Sequence, residues 1–529
     1  MSTSSTAESA ETRGFLAWVE RTGNRLPDPV FIFAYLIGVL VLISVIAAVT
    51  GLSAAHPTAI DEETGAPLVI TAESLLSAGN IQRLWVEMPT TFTHFHPLGY
   101  VLVVMLGAGV AERSGLFGSG MRAAVSGAPT FFLTPIVALT AMVGNLAADA
   151  AYVVLIPLAG IVFAAAGRHP IAGIAAAFAG VSGGFSANLV PGQLDALLFG
   201  ITEAAVETVF ADFTANIAGN WYFILAMTFI FLPVIWFVTD RIIEPRLGGY
   251  DRAAASTDIA EETAEAGALS ETERKGLRWA GMAALGVVAL WLFFLFGPGT
   301  PLIDESATAE ARLNPFYRSL VAGFFVLFLA CGWAYGSAAG TVTGHRDIVK
   351  MMTDAMGDLA YYLVLAFAAA HFVAMFAWSN LGLILAVHGA DALRELALPA
   401  PLLLAMIVLF TGALNLFVGS ASAKWALLAP VVVPMLLLLG ISAETTTAAY
   451  RVGDSATNII TPLMVYFPLI LIFCQRWQKE FGLGSLMAVM LPYSLWLLAS
   501  GVALIIAWVA IGVPMGPNAP IFVDVLGAS

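Results

Sequence analysis

Long runs of apolar residues alternate with short polar connections along most of this chain. The first run, Pro29–Thr50, contains 22 residues and no charge, which is enough for an α-helix to cross a hydrocarbon core of about 30 Å. Similar runs predict nine membrane crossings, near residues 29–51, 98–116, 170–200, 217–238, 277–296, 317–342, 357–385, 443–475 and 484–512. The pattern predicts an all-α polytopic membrane protein.

Two further apolar runs, near residues 128–166 and 400–440, are interrupted half-way by small and polar residues. The interruptions lie at Gly144–Asp149 and Gly419–Lys424. This pattern predicts two re-entrant hairpins, each entering and leaving the membrane on one side. Two full crossings through each run fit the hydropathy equally and also return the chain to the same side. The topology of the remaining crossings is therefore the same in either case.

Two of the predicted crossings carry a similar interruption. Ser186–Pro191 and Ser455–Pro462 each bring Ser, Asn and Pro into an apolar segment. Open backbone is tolerated at bilayer depth only where it faces protein or a watery cavity. Each interruption follows one hairpin, and the odd number of crossings between the hairpins turns the second unit upside down. An inverted repeat with two broken helices is typical of secondary transporters, which bind substrate near the bilayer midplane.

This organisation divides the chain into six segments. They are a cytoplasmic N-terminal segment at 1–28, first scaffold helices with an outer loop at 29–127, a first transport repeat at 128–200, scaffold and connecting helices at 201–399 with a cytoplasmic loop at 239–276, a second transport repeat at 400–475, and a last helix with the C-terminal tail at 476–529. Most of the 22 basic residues fall on the side of the N-terminus in this layout. The positive-inside rule therefore predicts a cytoplasmic N-terminus.

Composition supports a membrane protein and excludes a nucleic-acid-binding one. The chain of 529 residues is 59% hydrophobic and 11% charged, whereas soluble proteins carry about 25% charged residues. The net charge of −14 and the lack of a basic cluster in the sequence argue against a polyanionic partner. The two cysteines, Cys331 and Cys474, lie in apolar segments and fit a packing role.

Five ionisable residues fall in or beside the interruptions: Asp149, Asp195, Lys424, Arg451 and Asp454. A charge at the centre of a membrane helix costs about 2.5–3.5 kcal/mol on insertion scales, so such residues usually serve function. Their clustering indicates that the candidate site lies where the interruptions meet.

Each of these charges has two interpretations. Arg451 and Asp454, three residues apart, form either a structural ion pair or a site in which Arg451 binds an anionic substrate and Asp454 a cation or proton. Asp195 follows Pro191 and Gly192, and it either carries a proton or caps a helix.

The aromatic and amide side chains near the interruptions are equally open to two interpretations. Trp425 either stacks on an aromatic ligand or packs within the protein. Asn145, Asn188, Asn415 and Asn458 either offer oxygens to Na⁺ or cap the broken helices. Asn145, Asn188 and Asn458 are the candidate Na⁺ ligands, and no metal site is assigned with certainty.

Enzyme motifs are weak in this chain. Gly180–Gly183 matches the GxSG of intramembrane serine proteases, with His371 as the mid-helix histidine that would serve Ser182, but the motif lies in a glycine-rich run. The sequence contains no Walker A, HExxH or dinucleotide-binding fingerprint. We therefore expect neither an enzyme nor an ATP-driven pump, and no cofactor.

Four segments resemble the AbgT family of p-aminobenzoyl-glutamate transporters, within the ion transporter superfamily: Gly23–Pro29, Gly184–Leu189, Ser422–Pro430 and Tyr450–Ser455. The resemblance extends from about residue 14 to 512. It implies a homodimer whose subunits each have nine membrane helices, two hairpins, a dimer scaffold and a transport domain. It also implies transport of p-aminobenzoyl-glutamate or related folate fragments, and in some members export of sulfonamides.

The resemblance also assigns site residues. The substrate-binding candidates are Asn415, Ser422, Trp425, Arg451, Asp454 and Pro462. For ion or proton coupling the resemblance matches Asp195 and Asp454. The polar residues of the interruptions complete the expected coupling set, which is Asp195, Asp454, Asn145, Asn188, Asn458 and Asp149. One position departs from the family pattern, because Ala443 stands where members often have a proline eight residues before the arginine. This departure leaves open how the second broken helix enters the membrane.

The sequence thus predicts an ion-coupled secondary transporter of p-aminobenzoyl-glutamate or a related aromatic folate-type anion in a bacterial inner membrane. The alternative is a proton antiporter that exports sulfonamide antimetabolites. A channel and a hydrolase using Ser182 are the remaining classes. The sequence leaves open the direction of transport and whether H⁺ or Na⁺ drives it. The expected partners are a small aromatic anion, membrane lipid and a second copy of the chain.

Overall fold

Helices form nearly all of the secondary structure. The computed structural model describes residues 28–60, 65–125, 129–147, 151–210, 216–249, 269–306, 312–461, 464 and 466–524. The helices are α1 (Pro29–Thr50), α2 (Ala78–Thr93), α3 (His96–Arg113), α4 (Leu116–Val125), α5 (Leu133–Gly144), α6 (Ile156–Ala165), α7 (Pro170–Phe178), α8 (Gln193–Val206), α9 (Trp221–Phe237), α10 (Glu244–Leu247), α11 (Glu271–Phe296), α12 (Asn314–Ala339), α13 (His345–Asp358), α14 (Ala360–Trp378), α15 (Leu381–Glu395), α16 (Ala400–Asn415), α17 (Ala421–Leu437), α18 (Ala443–Thr457), α19 (Phe467–Trp477) and α20 (Leu483–Ile511). The predicted helical membrane architecture is confirmed.

Seven helical stretches in the described ranges are long and apolar enough to cross a membrane. They are Val30–Thr50, Ala78–Arg113, Trp221–Leu247, Glu271–Phe296, Asn314–Ala339, Ala360–Trp378 and Leu483–Ile511. Two broken segments add to these spans. The total of nine crossings stays a prediction.

The first helix illustrates how local sequence sets helix ends. The Asp28 side chain accepts a hydrogen bond from the Val30 amide at 2.8 Å, and Pro29 occupies the first helical position. Pro tolerates this position because its missing N–H has no intrahelical partner there. Gly51 ends the helix in the left-handed conformation, with φ 68°, which glycine adopts without a Cβ clash.

The first predicted broken crossing is interrupted where the motif lies. After α7 the chain makes a π-helical turn at Ala179–Gly183 and then runs without helix until α8 begins at Gln193. The non-helical stretch contains the whole of Ser186–Pro191. Proline and glycine explain the break, since neither sustains a regular helix interior.

The second crossing is broken later than its motif begins. Residues Ser455 to Thr457 still belong to α18, a 3₁₀ turn follows at Asn458–Ile460, and Thr461 is extended before α19. At the other end of α18, the Ser442 side chain accepts a hydrogen bond from the Thr445 amide at 3.2 Å. A serine cap at Ser442 therefore starts this helix, and Ala443 is its first helical residue.

The two predicted hairpins have arms shorter than a typical membrane span of about 20 residues. Hairpin 1 comprises α5 and α6 with a 3₁₀ turn at Asn145–Ala147 and a π turn at Ala151–Leu155, and hairpin 2 comprises α16 and α17. The longest arm, α17, has 17 residues, or about 26 Å at 1.5 Å per residue, against a hydrocarbon core of about 30 Å. The geometry favours re-entrant hairpins over pairs of full crossings.

Two features differ from the prediction. The connection 52–97, predicted as an outer loop, contains an antiparallel pair of strands, β1 (Ser53–Ile60) and β2 (Pro67–Thr71), which the hydropathy pattern did not predict. The predicted crossing 357–385 divides at Asn380, which has φ 59° and separates α14 from α15. An isolated pair of strands such as β1 and β2 has little independent stability. Side chains of α15 and its preceding turn hold the pair: His388 contacts the Ser53 carbonyl and Asn380 contacts the Thr71 carbonyl.

Helix α18 lies at the centre of the protein. Every one of its residues except Glu444 is buried, although the helix is rich in Thr, Ser, Asp and Arg. A polar helix surrounded by protein must find hydrogen-bond partners for its side chains inside the fold. Its neighbours include α8, α16, α17 and α20. Helix α18 is therefore the element around which the candidate site is built.

Candidate substrate and coupling site

The two interruptions meet in the interior. The amide of Ser186, in the first interruption, donates a hydrogen bond to the Oγ of Ser455 at 3.0 Å, and both residues are buried. These serines are the first residues of the two similar motifs. The prediction that the broken segments come together is confirmed.

Arg451 and Asp195 form a buried ion pair across this junction. The guanidinium donates from Nη1 to Asp195 Oδ1 at 2.7 Å, and the two side chains are 3% and 6% exposed. Asp195 Oδ2 also accepts the Gly192 amide at 2.7 Å, at the start of α8. Asp195 is thus a helix-capping residue and also the partner of Arg451, while its role as a proton carrier stays a prediction.

Lys424 pairs with Asp454, so the interpretation of Arg451 and Asp454 as a structural ion pair with each other is wrong. The Lys424 ammonium contacts Asp454 Oδ1 and Asn415 Oδ1. The two charged residues lie on hairpin 2 and α18, and both are almost completely buried. Spacing along α18 suggested a local pair, but each charge has its opposite partner on another element. Burying charges in pairs avoids the large cost of an isolated charge.

Asn415 organises the same corner of the site. Its amide nitrogen donates to the Asp454 carbonyl at 2.8 Å, to Thr457 Oγ1 at 2.9 Å and to Asn458 Oδ1 at 2.8 Å. These bonds join the end of the first arm of hairpin 2 to the end of α18. Asn415 therefore fixes the second interruption in place, and Asn458 takes part in this network.

Trp425 packs against protein in this conformation. Its ring stacks on Tyr450 with centroids 4.4 Å apart, and its indole N–H donates to Thr202 Oγ1 at 2.9 Å and to the Leu198 carbonyl at 3.2 Å. The side chain is fully buried. Ser422, one turn earlier, lies half-buried beside a crevice of about 10 Å³ between hairpin 2 and α14.

The remaining asparagines hold backbone around the first interruption. The amide nitrogens of Asn145 and Asn188 donate to the carbonyls of Gly184 at 3.5 Å and Met142 at 3.4 Å. These contacts link the tip of hairpin 1 to the broken helix. No group of three or more His, Cys, Asp or Glu side chains suited to a metal ion occurs in the described part of the chain. Asp149 and Pro462 lie outside the described residues.

Two acidic residues near the site escaped the sequence analysis. Glu203 on α8 is 4% exposed and accepts a hydrogen bond from the Tyr100 hydroxyl at 3.3 Å. Glu444 lies in the first turn of α18 and lines a cavity of about 20 Å³ together with Asp195 and Arg451. Both could have been found as charges within the predicted crossings or at their ends, had residues outside the interruptions been considered.

A larger apolar cavity of about 410 Å³ lies beside hairpin 1. Its walls include Gly144 and Leu146 at the hairpin tip, Leu189 of the first interruption and Phe328 of α12. Ligand pockets typically measure about 300–1,000 Å³ and are mostly apolar with a few polar groups. This cavity connects the first interruption to a space large enough for an aromatic ligand.

Ser182 and His371 do not form a catalytic pair. The Ser182 hydroxyl contacts the Met464 sulfur at 3.1 Å, and His371 Nδ1 lies 2.7 Å from the Phe367 carbonyl. A serine nucleophile needs a hydrogen bond to its base. The contacts of these side chains thus give no support to the hydrolase alternative.

Comparisons with known proteins agree with the motifs. The model of the AbgT transporter family matches residues 14–523. The p-aminobenzoyl-glutamate transport protein of Escherichia coli strain K12 is 34% identical over 518 residues, covering 98% of this chain and 99% of that protein.

Two solved structures are similar over nearly the whole chain. The YdaH transporter of Alcanivorax borkumensis is 42% identical with a TM-score of 0.84, covering 93% of this chain and 100% of that one. MtrF of Neisseria gonorrhoeae, described as illuminating a class of antimetabolite efflux pumps, is 41% identical with a TM-score of 0.88, covering 96% of this chain and 100% of that one.

Proposed function

Because this chain belongs to the AbgT family of transporters, we propose that it is an ion-coupled secondary transporter of p-aminobenzoyl-glutamate or a related aromatic folate-type anion. The observation that carries this proposal is the buried pair of Arg451 and Asp195 at the junction of the two interruptions. A guanidinium held there by a single carboxylate oxygen is suited to exchange its partner for a substrate carboxylate.

Partner exchange offers a route to coupling. When a substrate carboxylate takes the place of Asp195 beside Arg451, the Asp195 carboxylate loses its counter-charge while still buried. A buried carboxylate without a partner is costly, so uptake of a cation or proton by Asp195 compensates. Substrate binding and ion binding are then linked through one arginine.

The second charge pair closes the site in this conformation. Lys424 and Asp454 tie hairpin 2 to α18, and Trp425 with Tyr450 forms an aromatic surface next to them. Since Trp425 is fully buried, substrate reaches its ring only when hairpin 2 moves. We propose Asn415, Ser422, Trp425, Arg451, Asp454 and Pro462 as the substrate-binding set, with hairpin 2 as its mobile cover.

The cellular setting follows from the multi-pass membrane architecture of this family. We propose a bacterial inner membrane with a cytoplasmic N-terminus, and a homodimer in which hairpins, broken helices and their neighbours move against a scaffold. Helices α11 and α12 pack on each other, and α12 packs on α3, which supports a scaffold role for this group.

A second candidate function is export of sulfonamide antimetabolites by proton antiport. The similarity to MtrF, at 41% identity over nearly the whole chain, favours it specifically. A sulfonamide shares an aromatic ring with p-aminobenzoyl-glutamate but lacks the glutamate carboxylates. The two functions therefore differ in how much they need Arg451.

Flux in proteoliposomes tests both candidates. Radiolabelled p-aminobenzoyl-glutamate and a sulfonamide are each offered with an imposed H⁺ gradient, an imposed Na⁺ gradient, or neither. We expect saturable flux of p-aminobenzoyl-glutamate that depends on one gradient and disappears in Arg451→Ala, whereas Arg83→Ala on the exposed face of α2 serves as control. Unchanged flux in Arg451→Ala contradicts the proposed site, and sulfonamide flux alone favours the second function.

A further inference from the structure

A small polar cavity lies between the N-terminal half of α18, α8 and the segment before α9. The polar side chains that line it include Asp195, Thr202, Asn220, Glu444, Thr447 and Arg451. Its volume of about 20 Å³ exceeds the about 10–15 Å³ that one water molecule requires by this measure. The cavity is therefore large enough for water but too small for an organic substrate.

Two buried polar atoms of this lining have no hydrogen-bond partner in the described part of the chain. They are the Arg451 Nε, a donor, and the Asn220 Oδ1, an acceptor. Arg451 is 3% exposed and Asn220 is 7% exposed. Leaving either group unsatisfied costs about 1–3 kcal/mol, and a water that accepts from one and donates to the other satisfies both. The lining thus favours an ordered water next to the Arg451–Asp195 pair.

Glu444 supplies a second carboxylate to the same cavity. It stands seven residues before Arg451 on α18, about 10 Å along the helix axis. It is the half-buried residue of this otherwise buried helix, next to Ser442, whose amide bonds the Ile521 carbonyl of the C-terminal tail at 2.9 Å. Glu444 is therefore the one partly exposed residue of α18, and it lines the same cavity as Asp195 and Arg451.

The charges around the cavity favour a proton over a metal cation. Its ionisable lining residues are Asp195, Glu444 and Arg451. The Arg451 guanidinium carries a permanent positive charge, which repels a metal cation within a few ångströms. A proton, in contrast, moves between carboxylates through hydroxyl groups and water without remaining beside the arginine.

We propose that Glu444, at the N-terminal end of α18, passes protons to and from Asp195 through the water site between Arg451 and Asn220. The Glu444 carboxyl gives its proton to the water, the water gives a proton to the Asp195 carboxylate, and the Glu444 carboxylate is reprotonated from solvent. The transfer in the reverse direction releases the proton. Asp195 accepts the proton when Arg451 turns to the substrate carboxylate, so this inference rests on the proposed function.

Proteoliposomes containing a pH-sensitive dye test the relay with p-aminobenzoyl-glutamate as the probe. One assay measures exchange of labelled for unlabelled substrate, which needs no net proton movement. The other measures net substrate flux driven by an imposed pH gradient, together with the proton flux reported by the dye. The variants are Glu444→Gln, Glu444→Asp, and Glu203→Gln as a control, because Glu203 is a buried glutamate that does not line the cavity.

We expect Glu444→Gln to retain exchange while net flux and proton movement fall at least about tenfold, as is usual when a positioned proton-transfer group is removed. Glu444→Asp should restore part of the proton flux, and Glu203→Gln should resemble the wild type in both assays. Proton-driven flux at the wild-type level in Glu444→Gln overturns the inference. So does equal loss of exchange and net flux, which shows a structural role for Glu444.

The wild-type protein separates this inference from the function on which it rests. Wild-type exchange without proton movement overturns the relay and leaves the transporter intact. No wild-type flux of p-aminobenzoyl-glutamate in either assay contradicts the proposed function, and the inference falls with it.

Discussion

The amide of Ser186 donates a hydrogen bond to the side chain of Ser455 at 3.0 Å, and these serines begin the two similar interruptions of the chain. The contact joins segments 269 residues apart. It connects the open backbone of one broken helix to a side chain on the helix that leads into the other. The inverted repeat is thus held together at its own break points.

This hydrogen bond predicts the effect of Ser455→Ala. The substitution leaves the buried Ser186 amide without its acceptor, and we expect a loss of about 1–3 kcal/mol in the free energy of unfolding. Ser500→Ala, which removes a hydroxyl bonded within its own helix, should change stability far less. Thermal unfolding of both variants in detergent, followed by tryptophan fluorescence, measures the difference. Equal unfolding temperatures would contradict the role of this contact.

Lys424→Met should destabilise the protein strongly. The substitution leaves the Asp454 carboxylate buried without its counter-charge, and breaking a buried pair from one side typically costs about 3–5 kcal/mol. The double variant Lys424→Met with Asp454→Asn removes both charges and should recover much of the loss. Unfolding of the two single variants and the double variant gives the coupling energy. Additive losses would show that the two charges do not interact.

Asp195→Asn should separate substrate binding from ion coupling. If a substrate carboxylate competes with Asp195 for Arg451, removal of the competing charge raises affinity by about tenfold, since a hydrogen bond to a charged group is worth about 1.5–3 kcal/mol. Gradient-driven flux should fall in the same variant. Equilibrium binding of p-aminobenzoyl-glutamate by calorimetry, alongside flux, tests both parts. Weaker binding would show that Asp195 positions Arg451 for the substrate.

Gly453→Ala should disrupt the packing of α18 on α16. A Cβ at this position would lie 2.1 Å from Thr411 Oγ1 and 2.2 Å from the Val408 carbonyl. Because the Val408 carbonyl belongs to the backbone, it cannot rotate away from the added methyl group. Such overpacking lowers the free energy of unfolding by about 1–3 kcal/mol or more. Gly38→Ala on α1, with nothing within 4 Å of its added methyl group, is the matched control. Yield and monodispersity after purification, with the unfolding temperature, compare the two variants.

Trp425→Phe and Trp425→Ala should differ in a graded way. Phenylalanine keeps a ring against Tyr450 but loses the indole donor to Thr202 and Leu198. Alanine loses the ring contact and the hydrogen bonds and leaves a cavity. The free energy of unfolding typically falls by about 3–5 kcal/mol in such a case. We expect the phenylalanine variant to lie between wild type and the alanine variant in stability. Identical unfolding of the two variants would show that the ring contributes nothing beyond its hydrogen bonds.

Much of the membrane layout was available from the sequence. Apolar length predicted the long helices because a bilayer demands spans of a given length. The residues Ser186–Pro191 and Ser455–Pro462 predicted where helices break, because Ser, Asn and Pro supply the local chemistry of a break. The clustering of Asp195, Lys424, Arg451 and Asp454 near the interruptions indicated the location of the site.

Which charges pair with which was decided only by the tertiary structure. Along the chain Arg451 is closest to Asp454, yet it bonds Asp195, 256 positions away in sequence, and Asp454 bonds Lys424 of hairpin 2. Electrostatic attraction depends on distance in space and on burial, and periodicity along one helix reports neither. The burial of Trp425, the cavity that brings Glu444 to Arg451, and the strands β1 and β2 depend in the same way on contacts between distant segments. Local sequence determined where the helices lie and break, and the packing of those segments determined the partners of each polar group.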